Sequence, residues 1–136
     1  MTHAYAVQRR PISRAHPRLF GSLERLKQLA AERPEAFRRM SAFAHEKAPA
    51  KYNMIEHDRV FCVALTAAIE GDAGLAAEAR QLAMMYVEGD IRVGHETYGH
   101  DMARVAVCYD LCHAAFSADD KSKLFTYMDK TIDANV

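Results

Sequence analysis

The densest run of side chains able to do chemistry is His95-Glu96-Thr97-Tyr98-Gly99-His100-Asp101. Tyr98 offers a ring face on which a sugar can stack, and His100 a ring nitrogen for a hydroxyl or carboxylate. These two are the candidate substrate-binding residues. The run does not encode a zinc protease, whose His-Glu-x-x-His pattern sets two imidazoles four apart on one helix face. Here His95 and His100 are five apart and the run begins in a loop, Gly89 to Gly99. The plain alternative is a solvated loop leading into a helix, with Thr97 or His100 near its cap and Asp101 favoured by the helix dipole.

Other polar residues read as structural. His57 and Asp58 open a helix and suit a capping role. Tyr109-Asp110 lies in apolar helical text, where a carboxylate needs neighbouring backbone or an arginine as partner. Cys62, Cys108 and Cys112 are an odd, sparse set inside helices, which reads as small buried hydrophobes and not as a disulfide framework. Cys108, Cys112 and His113 fall near one helix face but lack a second pair of ligands, so no metal site is expected and no cofactor is implied. Met84-Met85 reads as core filling. No catalytic residue is assigned.

The elements that carry these residues are all helical. After Pro11 and the polar stretch 1–15, a flexible arm, His16-Pro17-Arg18-Leu19-Phe20-Gly21 forms an extended lead-in. Ser22 caps a first helix with Leu23, Leu26 and Ala30 on one face; Pro34 opens a second carrying Phe37, Met40 and Ala44, which Pro49 ends. A third, Glu56 to Ile69, is apolar on every side and therefore buried. Gly71 stops it and Asp72 caps a fourth, Ala73 to Val87, amphipathic and expected outside. The fifth, His100 to Ala115, is again apolar at its centre. Ser117 with Asp120 signals the cap of a sixth, striped by Leu124, Phe125, Met128 and Ile132. Buried-type helices thus alternate with amphipathic ones at a spacing of about 40 residues, the pattern of stacked antiparallel helical hairpins.

The 136-residue chain has room for one domain; half of it is hydrophobic and 26% is charged, a globular composition. Eighteen acidic residues balance eighteen basic ones, so nothing in the charge points to nucleic acid or to a membrane surface. No apolar run reaches the roughly 18 residues of a membrane span, and no secretory signal is legible at the N-terminus.

Three stretches in order resemble heparinase II/III-like and alginate-lyase-like polysaccharide lyases: HPRLFGSLERLKQLA from His16, ALTAAIEGDAGLAAEARQLAM from Ala64, and ARVAVCYDLCHAAFSADDKSKL from Ala103. The first resembles their opening His-Pro-Arg-Leu helix, the second a Gly-Asp helical hairpin, the third a Tyr-Asp helix followed by a capped pair. The resemblance implies that residues 16–136 are the N-terminal part of an α/α toroid, to be followed by more toroid and β-sandwich domains. It implies β-elimination on a uronic-acid polysaccharide, alginate or heparin-like, with an acidic polysaccharide as the partner of the whole protein. A base takes the C5 proton, a neutralising group stabilises the carboxylate, and Tyr or His protonates the leaving oxygen. Those residues lie further along in such lyases, so this stretch alone is expected to be inactive. Such lyases are often exported, and the compartment is left unassigned. A different class, a stand-alone helical-repeat scaffold for protein or peptide, also fits the pattern.

On the toroid reading the fifth and sixth helices lack a neighbour on one flank. The side chains expected to be left wet are drawn from Val105, Cys108, Cys112, Leu124 and Met128, and self-association through that face is expected. The fold class has a direct check: far-UV circular dichroism should be dominated by helix, and a strand-dominated spectrum would remove it.

Overall fold

The computed structural model describes residues 14–46, 54–94 and 97–135. They form α1 (Leu23–Glu32), α2 (Pro34–His45), α3 (Met54–Glu70), α4 (Ala73–Val87), α5 (Thr97–Leu111), a 3-10 turn at His113–Ala115, and α6 (Ala118–Asn135). Among the described residues there is no strand, so the chain is all-α. No helix among them is long and apolar enough to cross a membrane. Residues 1–13 of the expected arm, and Pro49, lie outside the described residues.

Local chemistry sets the helix ends. Ser22 Oγ accepts the amide of Arg25 at 3.3 Å and starts α1, and Pro34 occupies the first turn of α2. Gly71, at φ +71°, takes the left-handed conformation that stops α3. Asp72 then accepts the amide of Leu75 at 2.9 Å and starts α4. Ser117 and Asp120 form a reciprocal capping box: Asp120 N donates to Ser117 Oγ at 3.1 Å, and Ser117 N to Asp120 Oδ2 at 2.8 Å.

α3 is the centre of the fold and packs on α1, α2, α4 and α5. Its apolar text is buried on one side, with Val60, Val63 and Ala64 fully enclosed, while Phe61, Cys62, Leu65, Ala68 and Ile69 are only half-buried, so the burial expected on every face is met in part. The placement of α4 differs from the sequence reading. Instead of lying outside, it is wedged against α3, α5 and α6, with Leu75, Ala79, Ala83 and Met84 buried. Its many alanines let helices approach it from several sides. Met85, one residue on from Met84 and so turned away by the helical period, is 56% exposed and is not core. α6 is also rotated from its expected stripe. Leu124 faces inward with Tyr127 and Thr131, Met128 is half-buried, and Phe125 and Ile132 are exposed. The Thr131 hydroxyl donates to the carbonyl of Tyr127 at 2.7 Å, which makes a polar residue acceptable on the buried face.

The residues expected to be wet are not, and the large apolar side chains left exposed on α6 are Phe125 and Ile132 instead. Val105, Cys108, Cys112 and Leu124 are all buried, and Met128 is half-buried. Cys108 Sγ lies 4.0 Å from the carbonyl of Val60 and Cys112 Sγ 3.7 Å from that of Ala64, so this side of α5 rests on α3. Periodicity located the apolar face of α5 but not the helix that covers it.

Two arginines cross-link the helices. Arg59, 4% exposed, donates to the carbonyls of Phe43 at 2.7 Å and Ala44 at 3.0 Å, and to Glu78 Oε1 at 2.9 Å. It therefore satisfies orphan carbonyls at the end of α2 while joining α3 to α4. Arg80 of α4 grips Asp120 of α6 through two bonds of 2.8 and 2.6 Å, and this pair holds the Asp120 carboxyl well below the usual carboxylate range.

Opposite stability changes are expected at two α3 positions. Thr66 Oγ1 is buried with no hydrogen-bond partner among the described residues. Thr66→Val keeps its shape and should stabilise by about 1 kcal/mol. Arg59→Met takes a donor from the carbonyls of Phe43 and Ala44 and from Glu78, leaving Phe43 only the amide of Glu46 among the described residues, and should cost about 3 kcal/mol. Urea denaturation of the two variants checks both signs.

Candidate functional site: the His16–Asp110 clasp

Asp110 sits near the end of α5, 3% exposed, among apolar neighbours. Its donors come from the other end of the chain. His16 Nδ1 lies 2.6 Å from Oδ1, and the amides of Arg18 and Leu19 each donate to Oδ2 at 2.8 Å. The lead-in is not helical but bends at residues 15–16 and 19–20 instead of running straight, and a non-helical backbone leaves consecutive amides free to converge on one acceptor. Burial pushes the Asp110 carboxyl up, but the Leu19 and Arg18 amides and the His16 ring outweigh it and hold it below its ordinary value. A carboxylate only accepts, so Nδ1 of His16 carries the proton.

Aromatic rings complete the site. The His16 and His113 rings stack with centroids 4.1 Å apart and planes 9° from parallel. Tyr109 meets them edge-on at 5.5 and 5.1 Å. Burial, then the nearby charges of His16, Lys121 and Arg18, push the His113 pKa down, so this ring favours its neutral form. A shallow groove of about 340 Å³ opens beside them, lined by Arg14, His16, Asp110 and His113 together with Leu23 and Ala68. An imidazole oriented by a carboxylate, next to a second imidazole and an arginine, can hold an anionic group or relay a proton. With its oxygens engaged by three donors from residues 16–19, Asp110 acts first as an anchor.

The sequence reading of Tyr109-Asp110 as structural is met in part: the carboxylate is satisfied by backbone, and by His16 in addition. His16 was not foreseen as the partner. The available signal was that His-Pro-Arg-Leu and Tyr-Asp both stand out, but nothing local says that they touch.

Tyr98 and His100 lie elsewhere. α5 begins at Thr97, so the expected loop ends earlier and both residues belong to the first helical turn. Tyr98 is half-buried and His100 exposed. Two residues apart on a helix, they point in different directions. They are about 18 Å and about 15 Å along α5 from Asp110. Asp101, beside them, is buried and flanked by Arg104 at 3.1 Å and Arg92 at 3.3 Å. His95 and Glu96 lie outside the described residues, as do the side chains of His57 and Asp58.

Cys108 and Cys112 are free thiols pushed up by burial, Cys112 to about 11, which suits small hydrophobes and not nucleophiles. One group among the described residues has the composition of a metal site: His45, Glu70 and Asp72. Comparison with protein-family models, curated proteins and solved structures gives no match.

The clasp has a pH signature. The folded pKa of Asp110 lies below the ordinary unfolded value of about 3.9, so its stabilisation is full above that value and is lost as pH falls through the lowered folded one. Asp110→Asn should cost about 2 kcal/mol at neutral pH. Its deficit relative to wild type should shrink between about pH 5 and pH 2, as urea melts across that range would show.

Proposed function

We propose that this chain is the N-terminal helical portion of a polysaccharide lyase of the heparinase II/III-like and alginate-lyase-like kind. Its helices would form stacked hairpins of an α/α toroid. The parent enzyme would act by β-elimination on a uronic-acid polysaccharide, with the catalytic groups supplied by other parts of the protein. The observation that supports this reading best is the clasp. The first and third stretches that carry the resemblance, far apart in sequence, meet through His16, Arg18, Leu19 and Asp110. The Gly-Asp of the second forms a helix-to-helix turn. On this reading Tyr98 and His100 contact the acidic polysaccharide from the first turn of α5.

A second reading, a self-sufficient helical scaffold that binds protein or peptide, is favoured by one observation: the flank of α5 expected to be wet is covered.

Two measurements test these readings. The chain alone should release no unsaturated uronate from alginate or heparin. It should bind oligouronates, with Tyr98→Ala and His100→Ala each weakening binding by about tenfold. Steady product formation, or binding indifferent to both substitutions, would overturn the assignment of roles. Sedimentation and dye binding separate the two classes. A chain that self-associates and binds dye fits the toroid portion, while a dye-silent monomer melting cooperatively above about 60 °C fits the scaffold.

A further inference from the structure

Three helix ends meet where α2 and α3 finish and α4 begins. The last residue of α2 is His45, the last of α3 is Glu70, and Asp72 caps α4. The left-handed Gly71 turns the chain between the two acids. One ligand atom from each of the three residues can be chosen so that all lie within 4.8 Å of one another. The carboxylates are held from behind. Ser41 Oγ donates to Glu70 Oε1 at 2.6 Å, and Leu75 N donates to Asp72 Oδ1 at 2.9 Å. The free side of Glu70 faces the imidazole, with His45 Nε2 at 2.9 Å from Oε2.

We propose that His45, Glu70 and Asp72 form a binding site for a divalent transition-metal ion, with zinc the best match. One imidazole nitrogen and two carboxylate oxygens are a mixed donor set that zinc accepts in tetrahedral geometry, with water in the fourth position. Magnesium and calcium prefer oxygen alone. Zinc–ligand bonds of about 2.0–2.2 Å require ligand atoms roughly 3.3–3.5 Å apart, so closure asks for side-chain shifts of about 1 Å. The ion takes the place of the hydrogen bond between His45 and Glu70, and the ring proton moves from Nε2 to Nδ1 by exchange with solvent, so the imidazole stays neutral. The bonds from Ser41 and Leu75 survive and orient the carboxylates, as outer partners do in metal sites. Two carboxylates and a neutral imidazole neutralise a divalent cation. His45 and Glu70 are partly exposed, so water reaches the ion and affinity is moderate. The site would pin α2 to the α3–α4 turn. It does not depend on the lyase reading.

Isothermal titration of the full chain with zinc chloride tests it, with magnesium and calcium chloride as controls. Glu70→Gln and Asp72→Asn remove charge while leaving an oxygen to accept from Ser41 and from Leu75, and His45→Ala removes the nitrogen; the metal-free melt of each variant gives its own baseline. Wild type should bind one zinc with a Kd of about 10 µM and a rise in Tm. Each variant should bind zinc about tenfold or more weakly and lose the zinc-dependent rise in Tm, read against its own metal-free melt. Three results overturn the site: no saturable binding below about 100 µM zinc, variants that all bind as tightly as wild type, or magnesium binding equal to zinc.

Discussion

A carboxylate held almost out of contact with solvent must find donors within the protein to stay ionised. At Asp110 the donors are a ring and two amides supplied by three residues of one short stretch, His16, Arg18 and Leu19, and the start of the chain is arranged around that fact. The lead-in stays non-helical because its amides are committed to the carboxylate. α1 starts where it does because the chain is released from the clasp only at Gly21 and Ser22. The end of α5 is fixed against the start of the chain, which places Tyr109 and His113 beside His16.

The same logic recurs at the other joints. Apolar contact between α3, α4 and α5 supplies the bulk of the core, yet it is tolerant of sliding, since alanines line much of α4. Charged groups remove that freedom. Arg59 fixes the end of α2 against α4, and Arg80 with Asp120 fixes α4 against the first turn of α6. The bonds of Arg59 to the α2 carbonyls and of Arg80 to Asp120 each join a side chain on one helix to the end or cap of another. Helix termini, with their unpaired backbone groups, are therefore the points at which this fold acquires register.

What could be read in the sequence follows from the range of the forces involved. Capping and stopping act over a few residues, so Ser22, Pro34, Gly71, Asp72 and the Ser117–Asp120 box were legible from local text. The burial of α3 was legible in part, because its apolar run requires cover but does not say on how many sides. The inward face of α6 was misjudged because Tyr127 and Thr131 look polar until their helix satisfies them. The covered flank of α5, the partner of Asp110 and the gathering of His45, Glu70 and Asp72 all depend on long-range contacts that periodicity does not encode. Tyr98 and His100 stand out by polar density in a stretch that reads as loop, and the early start of α5 changes their relative directions.

The final turn of a helix ordinarily frays, but that of α6 is fastened. The Asn135 side chain accepts the amide of Gly94 at 2.8 Å and donates to the carbonyls of Arg92 and Thr131 at 3.1 and 2.8 Å. A single amide group thus makes the connection after α4 and the last turn of α6 one cooperative opening unit. The Gly94 amide gains exchange protection only while α6 is wound to its tip, so it serves as a built-in reporter of helix unwinding 41 residues away.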